Sequence, residues 1–383
     1  MKQRIQLPRP MRHAAAGFSL VELMVALTLS LILVAGALSI LYSTKLTSAE
    51  NERVSRIQEA GRTAFELMMQ DARAAGYAGC THPFTDTSTI PAISTVNSGL
   101  SSASLMWNLL QPVYGFEATA GAWSPALDAA IPATNPKPAT GSDILVLRTA
   151  RPGSPTFRTN AKFASNAVIP VDRDPSSPPL QAGTPAIISD CNNAAIFAVT
   201  GFVGAGSTAT IAHAAGGAPV GNANDFLVPQ NHFFAIGSTV QPVQTVVYYI
   251  ASCQAPLDGV ICKAVTPPAL WQIVGGSNPQ ELIQGVEAMQ LRYGVDSTNN
   301  PNMLADKYLT ADAVDAGAYW GNVVSVNLAV LVRSIDEYGT EKDKKVYHLL
   351  GGTAKGGADF GPFNDRRNRS VFTTTITLRN DTT

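Results

Sequence analysis

Few side chains in this 383-residue chain have the type and spacing to do chemistry. The five histidines (His13, His82, His213, His232 and His348) are scattered, and no HExxH, GxSxG or GxxxxGK[ST] segment occurs. The glycine-rich stretch GGTAKGGADFG at 351–361 lacks phosphate-loop spacing and reads as a loop. Asp296, Asn299, Asn300, Asn302 and Asp306 could offer oxygens to calcium, but the Gly and terminal Glu of an EF-hand loop are missing, which favours a solvated turn. Arg366, Arg367 and Arg369, with Lys342, Lys344 and Lys345, could touch nucleic-acid phosphates. Glu341, Asp343 and Asp365 dilute that field, so a mixed-charge surface facing a neighbouring subunit is the better reading. No catalytic constellation remains: the expectation is a non-enzyme with no cofactor, no metal and no nucleic-acid partner.

One acid stands apart because of its surroundings. Glu22 is the only charged residue from Phe18 to Tyr42, in FSLVELMVALTLSLILVAGALSILY. About 20 apolar residues suffice to cross a bilayer as a helix. An acid inside hydrocarbon costs about 2.5–3.5 kcal/mol even on the mildest insertion scale. A plain anchor has no use for it, whereas a helix that leaves the membrane and packs against copies of itself does. Ahead of the helix, residues 1–16 hold Lys2, Arg4, Arg9 and Arg12 and no acid, so that end stays cytoplasmic and the C-terminal mass lies across the membrane. A secretory signal is cut after its apolar region. Here the small-residue site Ala15-Ala16-Gly17 precedes it, so cutting at Gly17/Phe18 leaves the helix on the mature chain with a new amine at Phe18.

Gly17-Phe18-Ser19-Leu20-Val21-Glu22-Leu23 followed by an unbroken apolar helix resembles the class III signal of type IV prepilins and pseudopilins. The resemblance implies cleavage after Gly17 by a prepilin peptidase, N-methylation of Phe18, and a filament role for Glu22 facing the N-terminal amine of a neighbouring subunit.

Composition bounds the remainder. Without the leader's four cations, 23 Lys+Arg stand against 28 Asp+Glu, a mature formal charge of −5. Nothing in that total suggests nucleic-acid binding. All four cysteines lie beyond the anchor and read as two disulfides in an oxidising compartment, without CxxC-like metal spacing. Cys253 and Cys262 flank the short turn QAPLDGVI and are expected to pair. Cys80 and Cys191 are then left to pair, stapling the end of the long helix to the globular part.

These residues need elements to position them. Beyond Tyr42 helical spacing continues through Leu46, Ala49, Val54, Ile57, Gly61, Phe65, Met68, Ala72 and Ala75, with charges on the other faces, and Gly76 is a plausible stop. Residues 80–140 read as loop. Short extended runs start at 143, 185, 195, 208 and 245. Alternation is cleaner in 281–296, 322–334 and 370–380 (in 322–334, Val324, Val326, Leu328, Val330 and Val332 share a face). Three such strands suit an antiparallel sheet packed on one side, with the helix at 45–75 as its cover. The fold class expected is α+β and type IV pilin-like: a long N-terminal helix on a mainly antiparallel sheet with long loops.

The segments LIQGVEAMQLRYGVD, VVSVNLAVLVRS after Trp320, and RRNRSVFTTTITLRN resemble the PilW-type minor pilins. The resemblance implies a structural subunit that helps prime pilus assembly, in a tip complex with other minor pilins beneath a tip adhesin, with the major pilin as a further partner. The plan is a leader at 1–17, a membrane and filament-core helix at 18–44, an amphipathic helix at 45–76 and a β-rich head at 77–383. The head is periplasmic while the chain is held in the inner membrane, and lies at the cell surface once the pilus is assembled. A type II secretion pseudopilin, or a pilus-associated adhesin or DNA-uptake receptor, is the alternative. Mass spectrometry of the native protein should find an N-terminal peptide that starts at N-methylated Phe18; retention of residues 1–17 would contradict the reading of the leader.

Overall fold

A computed structural model describes residues 19–77, 105–109, 111–119, 121–132, 136–190, 194–204, 206–216, 221–225, 227, 233–298, 304–337, 341–353 and 357–378. Helix α1 runs from Leu20 to Ala74. Ser19 starts it: its Oγ accepts the Glu22 N–H at 3.1 Å and its carbonyl accepts the Leu23 N–H at 3.1 Å, as an N-cap does. No proline interrupts the 55 residues. Beyond the helix, Gly76 adopts a φ of 74°, the left-handed conformation that glycine takes without strain and that ends helices. Two compact units divide the chain, Met1–Ser55 and Arg56–Thr383.

In the second unit an antiparallel sheet has the order β1 (Val113–Ala118), β2 (Ile144–Ala150), β3 (Thr239–Ala251), β4 (Ala269–Val274) and β5 (Gln280–Gln284). A second antiparallel sheet sets β6 (Val286–Val295) beside β7 (Val323–Arg333) and β7 beside β8 (Arg369–Thr377), with the short strand Lys307–Leu309 on the free edge of β6. One core joins the two sheets to the helix: Ile57, Ala64, Met68 and Ala72 of α1 meet Leu147 and Tyr248 of the first sheet and Leu291 and Leu328 of the second. Those helix positions recur every four or seven residues, so they fall on one face. The start of β3 belongs to a third group. Thr239–Pro242 pairs with Pro185–Ser189, and Thr239–Val240 with Phe157–Thr159. These strands build a small β-lobe around Phe157, Ile188, Phe197, Ile211 and Phe234.

The three alternating segments are adjacent strands or parts of them, and α1 covers them as the spacing requires. Three expectations change. The segment 281–296 is not one strand, because Gly285 sits at φ 88° and a Cβ there would lie 2.7 Å from the Arg333 carbonyl; the chain leaves the first sheet as β5 and enters the second as β6. The stretch 80–140 contains β1 and the strand Trp123–Ser124; Gly, Pro and Ser around them hid the short strands. The second sheet is packed on both sides, not one: Ala288, Ala329 and Leu331 turn away from α1 towards Leu349 and Phe360 of the hairpin Tyr347–Leu349/Ala358–Phe360. The glycine-rich stretch at 351–361 supplies that hairpin's connection and its second strand.

One member of the mixed-charge cluster, Arg369, leaves the surface. The Arg369 side chain is fully buried and forms a fork with Asp365 (Nη1–Oδ1 and Nη2–Oδ2 both 2.7 Å), a second with Glu287 (2.6 and 3.2 Å) and a bond to Asp343 (3.0 Å). Its guanidinium lies 3.7 Å from the Phe363 ring centroid. Arg366 and Arg367 stay at the rim, both on Glu337, and Lys342, Lys344 and Lys345 are exposed. Arg369→Met would leave three carboxylates around an empty centre, and removing one side of a buried charge pair costs about 3–5 kcal/mol. The Arg369 hydrogen bonds hold the Asp365 carboxyl well below the usual range. A depressed folded pKa gives stability that is present above the unfolded value of about 3.9 and lost as pH falls below it. Chemical denaturation of Asp365→Asn should therefore show lower stability at pH 7 and a shallower acid limb.

A second test concerns close packing under α1. A Cβ on Gly61 would lie 2.7–2.9 Å from the Phe372 ring. Alanine gains about 1 kcal/mol of helix propensity over glycine, while overpacking costs about 1–3 kcal/mol. Gly61→Ala should lower the melting temperature, and adding Phe372→Leu should recover part of the loss.

Candidate functional site

The described part of the first unit is a helix, and no other described element covers its apolar half. Every side chain from Leu20 to Tyr42 is exposed, including Leu20 at 76% and Leu33 at 74%. Two of the hydroxyls within it bond the helix backbone: the Thr28 hydroxyl donates to the Val25 carbonyl at 2.9 Å, and the Ser30 hydroxyl to the Leu27 carbonyl at 2.9 Å. A hydroxyl satisfied by its own helix makes no demand on water, which is what hydrocarbon requires. The helix is long and apolar enough to cross a membrane. Glu22 lies in its first turn, beside the backbone N–H groups whose partial positive charge favours an anion. It is exposed and set among Val21, Leu23 and Val25, which are exposed as well. The arrangement can bind a cation in an apolar setting. Gly17 and Phe18, the expected cleavage and methylation positions, lie outside the described residues.

In the second unit Cys253 and Cys262 form the expected disulfide. Asp258 organises the enclosed loop, since its Oδ1 accepts the N–H groups of Val260, Ile261 and Cys262 at 2.9, 3.0 and 2.8 Å. Cys80 and Cys191 lie outside the described residues. Of the calcium candidates, Asp296 accepts from its neighbour Thr298 (N–H 3.3 Å, hydroxyl 2.8 Å) and Asp306 from the Ser297 N–H at 2.7 Å, while Asn299, Asn300 and Asn302 lie outside the described residues. His13, His82 and His232 do too. His213 is buried against the Ala167 carbonyl at 2.8 Å, with burial lowering its pKa, and His348 meets Asp359 at 2.6 Å. Among the described residues no three His, Cys, Asp or Glu side chains come together as metal ligands.

Two buried acids that the sequence reading passed over hold the head together. Asp71, on the inner face of α1, accepts the Tyr248 hydroxyl of β3 at 2.7 Å, and Gln272 of β4 donates to that hydroxyl at 2.9 Å. Burial pushes the Asp71 carboxyl up, against the lowering effect of the Tyr248 bond. Its spacing from Ala64, Met68 and Ala72 was the available signal: a charge in the apolar stripe. Asp143 joins the two sheets, its carboxylate accepting the Ala118 N–H and the Leu291 N–H, both at 2.8 Å. Burial first, and then the neighbouring Glu117, raises Asp143; Glu117 itself is pushed up to about 7, chiefly by burial.

Residues 247–380 match the family model of Type IV Pilus-assembly protein W, and residues 12–38 match the prokaryotic N-terminal methylation motif. The first match spans the last residues of β3 and all of β4 to β8; the second spans the leader boundary, Glu22 and most of the apolar helix. No curated protein and no solved structure matches the chain.

The Asp71 bond yields a test of how the helix is docked. A carboxyl whose folded pKa is raised stabilises most at low pH, and that contribution is lost as pH rises through the folded value. Asp71→Asn keeps an acceptor for Tyr248 without the charge, so it should be at least as stable as the native chain at pH 7 and lose the decline with pH. Asp71→Ala should cost about 1–3 kcal/mol by withdrawing the hydroxyl's acceptor. Thermal melts across pH 4–8 distinguish the two.

Proposed function

We propose that this chain, a PilW-type minor pilin by its two matched segments, helps prime and initiate type IV pilus assembly as a structural subunit of a tip complex. The observation that supports this reading is the exposed apolar helix with one acid in its first turn. Prepilin peptidase cuts between Gly17 and Phe18 on the cytoplasmic side, and Phe18 is methylated. The chain is then held in the inner membrane by its 18–44 segment, with the amphipathic 45–76 segment and the head at 77–383 in the periplasm. In lipid Glu22 has no counter-charge. In a bundle of pilin helices it faces the Phe18 ammonium of an adjacent subunit, and in surroundings of low dielectric that attraction offsets the desolvation of both charges. One subunit's acid meets another's amine, a heterologous contact that propagates along an open helix. The pair sets register and direction, and apolar packing supplies the affinity.

The partners are the other minor pilins, the major pilin and a tip adhesin. A head of this size with long connections would obstruct close stacking of many copies, which suits a subunit used once near the tip. Substitution Glu22→Ala in cells should leave the membrane-bound level of the protein unchanged and reduce surface pili in sheared fractions at least about tenfold, the effect of losing a little over 1.4 kcal/mol per initiation event. Normal piliation in that strain would overturn the proposal.

A further inference from the structure

The second sheet ends on β8, and no described strand lies beyond it. Two bonds at the ends of the β7–β8 ladder fix the direction of each backbone group. The Leu378 N–H donates to the Val324 carbonyl at 3.0 Å, and the Ser334 N–H to the Asn368 carbonyl at 2.8 Å. Between them the register runs without a shift from Ser325 opposite Thr377 to Arg333 opposite Arg369. Backbone bonding alternates along an antiparallel strand. Ser370, Phe372, Thr374 and Ile376 therefore bond β7, while Val371, Thr373, Thr375 and Thr377 direct their N–H and carbonyl groups away from the sheet. The last three of these residues are exposed.

An open edge is a template for another strand, and folded proteins blunt theirs with charge, proline, a bulge or brevity. This chain does so elsewhere. The edge strands Trp123–Ser124, Gly201–Val203 and Lys307–Leu309 have two, three and three residues, and the five-residue β5 carries Glu281. Strand β8 has nine residues, and from Ser370 to Leu378 it shows no charge and no proline.

A second copy does not suit this edge. Antiparallel pairing of β8 with β8 about a two-fold axis reverses whatever lies along the sheet, including the α1 residues packed on it, so the two helices could not enter one membrane in the same direction. Side-by-side pairing needs the opposite edge of the sheet to be free, and that edge is closed. On β6 the Met289 carbonyl accepts the Asp143 N–H at 2.9 Å, the Met289 N–H donates to the Ser142 Oγ at 3.0 Å, and the Leu291 N–H donates to the Asp143 carboxylate at 2.8 Å. Its last residues pair with Lys307–Leu309.

We propose that the outer edge of β8 takes up an extended strand from a different pilus subunit. An edge without charge matches a segment without charge. The half-buried Phe372 calls for an apolar side chain beside it on the α1 side, and Thr373, Thr375 and Thr377 for small or hydroxyl side chains on the other. Main-chain bonds supply the affinity and the alternating side chains select the partner. The open edge stands on its own geometry; that the partner is a pilus subunit rests on the function proposed above.

Proline separates the two faces of the ladder, because it withdraws one N–H and is tolerated on an edge strand. Thr375→Pro removes only an outward N–H, so the full chain in detergent should keep its melting temperature, whereas Thr374→Pro should lower it. In native cells Thr375→Pro should reduce surface pili at least about tenfold, as a loss of tenfold in affinity would, and Thr375→Val, which keeps the N–H, should piliate normally. If Thr375→Pro also lowers the melting temperature, the pair Thr373→Lys and Thr375→Lys, which leaves the backbone intact and blocks the edge with charge, decides in its place. A photo-crosslinking p-benzoylphenylalanine at position 375 of the full chain should yield one adduct with another pilus subunit. Normal piliation with the edge blocked, in cells where Glu22→Ala is defective, overturns the strand pairing and leaves the assembly role standing. An adduct with a second copy alone, with a protein outside the pilus, or with nothing overturns the assigned partner.

Discussion

The apolar surface of the first unit governs what this protein can be. Fifteen large apolar side chains from Leu20 to Tyr42 are exposed. Burying each is worth about 1.5–3 kcal/mol, so covering them involves tens of kcal/mol. The penalty for one acid in hydrocarbon is about 2.5–3.5 kcal/mol, smaller by roughly an order of magnitude. Glu22 therefore cannot decide whether this helix stays in apolar surroundings. It can bear on which apolar surroundings are preferred, because lipid offers it no counter-charge whereas a neighbouring helix terminus, in the proposed assembly, would. That hierarchy follows from the magnitudes alone, and it separates the energy that holds such a helix from the energy that orders it.

The second unit solves a different problem with the same helical element. Its helix residues, from Arg56 on, lie against two sheets, and the contact is set by size and charge at single positions. Gly61 admits the Phe372 ring, and Asp71 ties the helix to β3 through Tyr248. The sheets are fastened to one another by Asp143, which accepts N–H groups from β1 and β6, and by Gly285, whose positive φ carries the chain between them. Burying an acid for this purpose is unfavourable unless its oxygens are satisfied. Both Asp143 oxygens and the Asp71 Oδ2 are, by groups from a different element, which makes the acids joints between layers as well as interior polar groups.

Much of this architecture could be read from residue order. Period-2 alternation located β6, β7 and β8 because those strands each have a strong apolar face, and helical spacing located the buried stripe of α1. What stayed hidden was whatever depends on contact between distant segments. The β7 pattern NVVSVNLAVLVRS looked one-sided because Ser325 and Asn327 are polar, yet Ala329 and Leu331 on that same side are buried beneath the hairpin after Tyr347. Arg369 looked like a surface cation because acids and bases alternate around it; Glu287, far off in sequence, is what draws it inside. For the candidate site the balance differs. The motif Gly17-Phe18 to Glu22 is local, so sequence alone carries it. The open edge of β8 is legible only in part: the uncharged run from Ser370 to Leu378 stands in the sequence, while the lack of a further described strand beside it depends on the order of the whole sheet.

Charges in low-dielectric surroundings provide the last step. Arg369 is buried and meets three carboxylates within its own unit, so its site is complete and needs nothing from outside. Arg148 is buried as deeply and meets none among the described residues. Glu22 is surrounded by exposed apolar side chains, and none of the described residues supplies it with a counter-charge. The physics is the same for all three: a charge removed from water is tolerated only where an opposite charge or enough hydrogen bonds replace the solvent. Applied evenly, that rule marks Arg369 as part of the fold's interior. For Arg148 the carbonyls of Gln111 and Leu105 replace part of the solvent, and for Glu22 the complement is the neighbouring subunit's amine that the proposed function supplies.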